Sequence, residues 1–329
     1  MTLSVLITID TESYAQGHPD EHIWGRTAGG DQTGIRRIMS LLERFGARGT
    51  FYVNVYEAAR HGDEALREVV LAIHERGHEV ALHSHPRDGF GVHKLTRADE
   101  PRQREILAWG QSFIEQTTGQ RLLAHRAGAF AANLNTLQAL RELGIRVDSS
   151  LSPAWFESHL AREVESNNQP LLLNGVLELP ITYYVQARLG SRRFLRMVDI
   201  EACSLRELKR IVDQAVSQQV TAINLLMHSH SFALSGPGEP ALVRRLEGFL
   251  QLLAETPQAR AMTTRQFHGR WQAEGLSARP APLFLPTTGW WLTYLRACES
   301  AGKDRINTLV AVAPPALVAA AAAALTWIL

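Results

Sequence analysis

Three short apolar runs each stop abruptly at residues that hold metals or move protons, and no other feature restricts the fold as strongly. Val5-Leu6-Ile7-Thr8-Ile9 runs into Asp10-Thr11-Glu12. Val80-Ala81-Leu82 runs into His83-Ser84-His85, and Ile223-Asn224-Leu225-Leu226-Met227 runs into His228-Ser229-His230. Runs of this length, rich in β-branched residues and leucine, predict buried strands. In a parallel or barrel sheet the groups just past the carboxyl ends of strands open into one crevice. Carboxylates and two His-x-His pairs from opposite ends of the sequence are then expected to meet in a metal-dependent hydrolytic site.

The segments between these runs have helical spacing. Ile35, Ile38, Met39, Leu42 and Phe45 predict a helix over 34–45, and Gly46 supplies its stop. Further helices are predicted over 64–76, 98–118, 136–144, 205–218 and 239–255, alternating with strands at 50–55, 122–126, 145–148 and 176–180. Such alternation predicts parallel strands joined by crossover helices. The number of units within residues 1–275, and the absence of any G-x-G-x-x-G or Walker loop, favour an irregular (β/α) barrel over an open nucleotide-binding sheet. Residues 13–31 form a long polar stretch carrying His18, His22, Trp24 and Arg26, suited to lining a site.

Chemistry concentrates at the strand ends. His83 and His85, at i and i+2, lie on one face of a strand and with a carboxylate make a three-point grip on a divalent ion. His93 is an alternative third ligand. Asp10 and Glu12 share the same spacing, so one completes the metal shell while the other takes a proton from water. Arg126 follows a strand and would orient a carboxylate, with Asp148 holding it from behind. His228 or His230 would serve as general acid, because imidazole titrates near neutrality. Cys203 and Cys298 have no C-x-x-C partner, so ligands must come from imidazoles and carboxylates.

The order of these motifs resembles that of the polysaccharide deacetylase family, also called the NodB-homology or carbohydrate esterase family 4 fold. Thr8-Ile9-Asp10-Thr11-Glu12 is similar to its T-F-D-D motif, with Glu12 standing in for the second Asp in the manner of a D-x-E branch. Ala47 to Val53 is similar to its A-T-F-F-V strand, and His83-Ser84 fits the start of its usual H-(S/T)-x-x-(S/T)-H metal motif, but the i+4 position is Arg87 and His83-Ser84-His85-Pro86 resembles an H-x-H-P branch instead. His125-Arg126-Ala127-Gly128, Asp148-Ser149-Ser150 and Leu225-Leu226-Met227-His228 resemble the remaining motifs, and Thr264-Arg265-Gln266-Phe267 the closing segment.

The resemblance implies a NodB-type barrel over residues 1–275 and a metal-dependent carbohydrate N-deacetylase. Asp10 would be the base, His228 the acid, and Arg126 with Asp148 would orient the base. Glu12, His83 and His85 would hold the metal, with Zn expected and Co, Ni or Mn also accepted by such ligands. A backbone N–H near Gly128–Phe130 would hold the oxyanion. The expected partner is an N-acetylated saccharide in a glycan or on a lipid carrier. The competing expectations are an inert glycan-binding barrel and a metal hydrolase acting on a non-sugar amide or a phosphoester.

Net charge of +1 with scattered cations provides no basic stripe for nucleic acid. Residues 276–305 read as a linker with a Trp-rich segment, and 306–329 as a hydrophobic Ala-rich tail. That tail carries no charge from Ile306 onward and is a candidate membrane anchor, although Pro314-Pro315 would interrupt a helix there. With no secretory leader at Met1-Thr2-Leu3, the expectation is a cytoplasmic enzyme attached to the inner face of the membrane.

Overall fold

Side-chain alternation along the first strand separates two environments. Val5, Ile7 and Ile9 join a large apolar cluster with residues of the surrounding helices, such as Ile38, Leu42 and Val70. Leu6 instead joins a smaller cluster with Tyr52, Ala81, Ala124 and Ala222. A strand whose two faces meet different apolar layers belongs to a curled sheet, with helices outside and a packed interior.

The computed structural model describes residues 2–14, 17–27, 30, 32–155, 158–164, 168–189, 192–236 and 240–276. The Trp-rich segment and apolar tail expected further on lie outside the described residues. Among the described residues, no helix is long and apolar enough to cross a membrane. The strands are β1 (Leu3–Thr11), β2 (Thr50–Val53), β3 (Glu79–Ser84), β4 (Ala124–Ala127), β5 (Val147–Asp148), β6 (Leu171–Leu173), β7 (Val176–Glu178), β8 (Tyr183–Leu189), β9 (Arg192–Met197), β10 (Ala222–His228) and β11 (Ala259–Met262). The main sheet runs β10-β1-β2-β3-β4-β5-β7-β6, with β11 also paired to β1. Its pairings are parallel except β6 with β7.

The two ends of this sheet are tied together. Beyond β7, the Thr182 N–H donates to the Asn224 carbonyl at 3.2 Å; beyond β9, the Leu226 N–H donates to Val198 O at 3.1 Å and the Ile200 N–H to Leu226 O at 3.0 Å. These bonds bring β10 against the far side of the sheet and give the irregular barrel its closure. Register then places Asp10 opposite His228 and Tyr52, and His83 opposite Arg126, at the carboxyl ends.

Helices at Ile35–Arg44, Asp63–Glu75, Glu100–Thr118, Leu134–Leu143, Leu205–Ser217 and Ala241–Ala254 lie within two residues of the expected bounds. The shifts follow the caps. The Asp99 carboxylate accepts from Arg102 N and delays one start, whereas the Asn133 capping box advances another to Leu134. The strand β6 with its antiparallel pairing to β7, and the hairpin β8–β9, were not among the expected elements. The first turns at Asn174-Gly175, whose φ values of 47° and 81° suit a two-residue hairpin loop.

Candidate active site

Three side chains from two strand ends converge at the mouth of the barrel. One ligand atom each from Glu12, His83 and His85 lies within 4.8 Å of the others. The Glu12 carboxylate is 3.1 Å from His85 Nε2 and 3.7 Å from His83 Nε2. Zinc bonds of about 2.0–2.1 Å set tetrahedral ligand atoms about 3.3 Å apart, so this spacing suits a divalent ion. The His83 Nδ1–H donates to Arg126 O at 3.0 Å, which fixes the tautomer and turns the Nε2 lone pair toward Glu12. Burial, foremost, holds the His83 pKa down at about 4, so the ring is the neutral, ligating form. Burial alone would push Glu12 up, but His85 and His83 outweigh it and keep the carboxyl below its usual range.

Asp10 sits beside this trio and is clamped from inside the barrel. Arg126, fully buried, donates from Nη1 to Asp10 Oδ1 at 2.5 Å. Its other donors reach Thr8 Oγ1 at 3.0 Å, Ser149 Oγ at 3.0 Å and Ser149 O at 3.2 Å, and its Cζ lies 4.1 Å from the Tyr52 ring centroid. A guanidinium with this many partners is tolerated in the interior because its donors are nearly all used. Burial raises the Asp10 pKa, but Arg126, then His83 and His228, outweigh it and hold it below the usual carboxylate range. Oδ2 remains on the side of the trio, 3.9 Å from His83 Nε2.

His228 ends β10 and meets Glu201, which sequence reasoning did not single out. One Glu201 oxygen accepts from both the His228 backbone N–H at 2.9 Å and Nδ1 at 3.1 Å. Burial would lower the imidazole, yet the carboxylate outweighs it and lifts the pKa to about 10. Glu201 lies in a turn after the hairpin, with no motif around it. His230, the second residue of the following helix Ser229–Ala233, has its ring 5.1 Å from that of His228 and a pKa lowered by burial. His93 lines the adjoining cavity of about 300 Å³ together with Glu12, Tyr14, Glu57 and His85, but it is not part of the trio.

Asp148 does not hold Arg126. Its Oδ1 accepts from His125 Nδ1 at 2.7 Å and from Ser150 Oγ at 2.9 Å, and the support expected of it comes from Ser149. The reason is register: Asp148 pairs with His125, so it shares the face of His125 and not that of Arg126. After Arg126, Ala129 and Phe130 take φ of 51° and 53° in the Gly128–Phe130 turn, a left-handed conformation that costs non-glycine residues energy and clusters at working sites.

Comparisons with known proteins agree with this architecture. The family model described as polysaccharide deacetylase matches residues 14–147. A peptidoglycan deacetylase-like protein of Gibberella zeae is 28% identical over 123 residues, covering 37% of this chain and 33% of that protein. The match thus spans about a third of that relative's length. A polysaccharide deacetylase candidate from Mycobacterium smegmatis superposes with a TM-score of 0.58 at 23% identity, over 87% of this chain and 95% of that one. Another from Pseudomonas aeruginosa PAO1 gives 0.56 at 17% identity, over 83% and 91%. At these identities the two structures establish the barrel fold.

Proposed function

We propose that this chain, which the polysaccharide deacetylase family model matches over residues 14–147, is a metal-dependent hydrolase removing an N-acetyl group from an N-acetylated sugar in a glycan or lipid-linked saccharide. The observation that carries the reading is the meeting, at one barrel mouth, of an ion-gripping trio, a clamped carboxylate and a carboxylate-paired imidazole. Glu12, His83 and His85 would hold the ion. When bound, it would polarise the scissile carbonyl and make water more acidic.

The remaining steps belong to the protein. Asp10, kept ionised by Arg126, takes the proton of the attacking water on Oδ2, because Oδ1 is engaged by the guanidinium. A new C–O bond forms at the acetyl carbon, and a backbone N–H near Gly128–Phe130 would donate to the developing oxyanion. His228, charged through its contact with Glu201, gives its proton to the amine nitrogen as the C–N bond breaks. Acetate and a free amino sugar result.

Acetate release from a panel of N-acetylated saccharides tests the reading, with phosphate release from phosphoesters measured in parallel. Chelation should abolish acetate release and Zn should restore it. Asp10→Asn should lower kcat by about 10²–10⁴ while leaving metal content unchanged. Acetate release indifferent to chelation, or phosphate release in its place, would refute the proposal.

A further inference from the structure

A second polar chain runs behind the site, across the outer face of four adjacent strands. Ser84, between His83 and His85, lies 2.9 Å from His125 Nε2 on β4. His125 Nδ1 lies 2.7 Å from Asp148 on β5, and Asp148 abuts Glu178 on β7. Ser84 is 2% exposed, and His125, Asp148 and Glu178 are wholly buried. Nothing in the proposed chemistry uses these groups, yet burying four polar side chains is costly unless they satisfy one another.

Proton accounting gives the chain a direction. Burial and the neighbouring Asp148 push the Glu178 carboxyl well above its ordinary range, so it is the neutral acid that donates to Asp148. Asp148, an anion, thus accepts from Glu178, from Ser150 Oγ–H and from His125 Nδ1–H. His125 is thereby fixed as the Nδ1–H tautomer, and its Nε2 is left to accept the Ser84 hydroxyl proton. Glu178 Oε1 accepts from Leu151 N at 2.8 Å, and Ser150 Oγ, beside Asp148, accepts from Ala127 N at 2.9 Å, so the far part of the chain is tied to backbone.

The serine at the head of this chain is the link between the two imidazoles of the trio. We infer that Ser84 and His125 are positioning residues: their hydrogen bond sets the angle of the His83-Ser84-His85 backbone and thereby the affinity and geometry of the metal centre. The inference rests on the metal-centre reading above. Bonds behind ligating groups are commonly worth 10–100-fold in metal affinity.

Titration of the purified protein with Zn against a chromophoric chelator, and the visible spectrum of the Co-loaded protein, test it. Ser84→Ala should weaken Zn binding about tenfold and shift the Co bands, and Ser84→Thr, which restores a hydroxyl, should return both toward wild type. A thermal melt run alongside identifies loss of fold, and Ser84→Thr must stay folded for the comparison to hold. Ser84→Ala with wild-type affinity and an unshifted spectrum would overturn the inference while leaving the metal centre intact. Wild-type protein that binds neither ion would overturn both.

Discussion

At the scale of single residues, one carboxylate decides the protonation state of the candidate acid. Glu201 lifts His228 from an ordinary imidazole value near 6.5 to about 10. A pKa raised on folding contributes stability that is complete below about 6.5 and is lost as pH climbs through about 10. Glu201→Gln should therefore draw the alkaline limb of the kcat/KM profile toward neutrality, by more than one pH unit, and flatten stability across that alkaline window. A pH-rate series with parallel denaturant melts measures both. Asp10, Glu12, His83, His85 and His228 were legible because each terminates an apolar run, so a strand end was flagged before any contact was known. Glu201 was not, since a turn residue reached through a hairpin leaves no periodic trace. Asp148 was expected to hold Arg126 from behind, but its carboxylate meets His125 and Ser150 instead. A two-residue strand does not reveal which face its acid takes, and a one-residue difference in register exchanges the faces.

Between elements, the tightest approach lies where the end of β4 passes the loop after β3. A Cβ on Gly128 would stand 2.3 Å from His85 Cε1 and 2.4 Å from both ring nitrogens. The absence of a side chain there is what lets the second imidazole lie against the strand carrying Arg126. Gly128→Ala should displace that ring and weaken Zn binding at least tenfold, with little change in the thermal midpoint, as chelator competition and a thermal scan would report. This closeness could not be read from the sequence: one glycine after a strand looks like any turn glycine until the neighbouring ring is in place. The Asn174-Gly175 hairpin is the opposite case, since asparagine-glycine between apolar runs is a strong turn signal that helix–strand alternation merely overshadowed.

Across the whole molecule, Asn224 gathers the closing bonds. Buried on the inner face of β10, it accepts from Thr8 Oγ1 at 3.1 Å and donates to Ser149 Oγ at 2.9 Å and Leu179 O at 3.0 Å. Its backbone exchanges bonds with Thr182. Asn224→Leu leaves several interior groups without partners at once, and a loss of about 3 kcal/mol or more is expected in denaturant melts. The barrel class was legible from alternating periodicities, which report strands and helices locally. The seam was not, because an asparagine inside an apolar run carries no mark of the three segments it joins.

The position of β1 has a consequence for synthesis. Among the described strands β1 is made before all the others, yet it pairs with β10 and β11, the two made after the rest. Until residue 262 has emerged, the nascent chain carries an uncovered hydrophobic edge and an unfinished candidate site. A fragment trimmed to residues 14–147 would lack Asp10, Glu12 and His228 together, so the stretch matched by the family model holds only part of the candidate site.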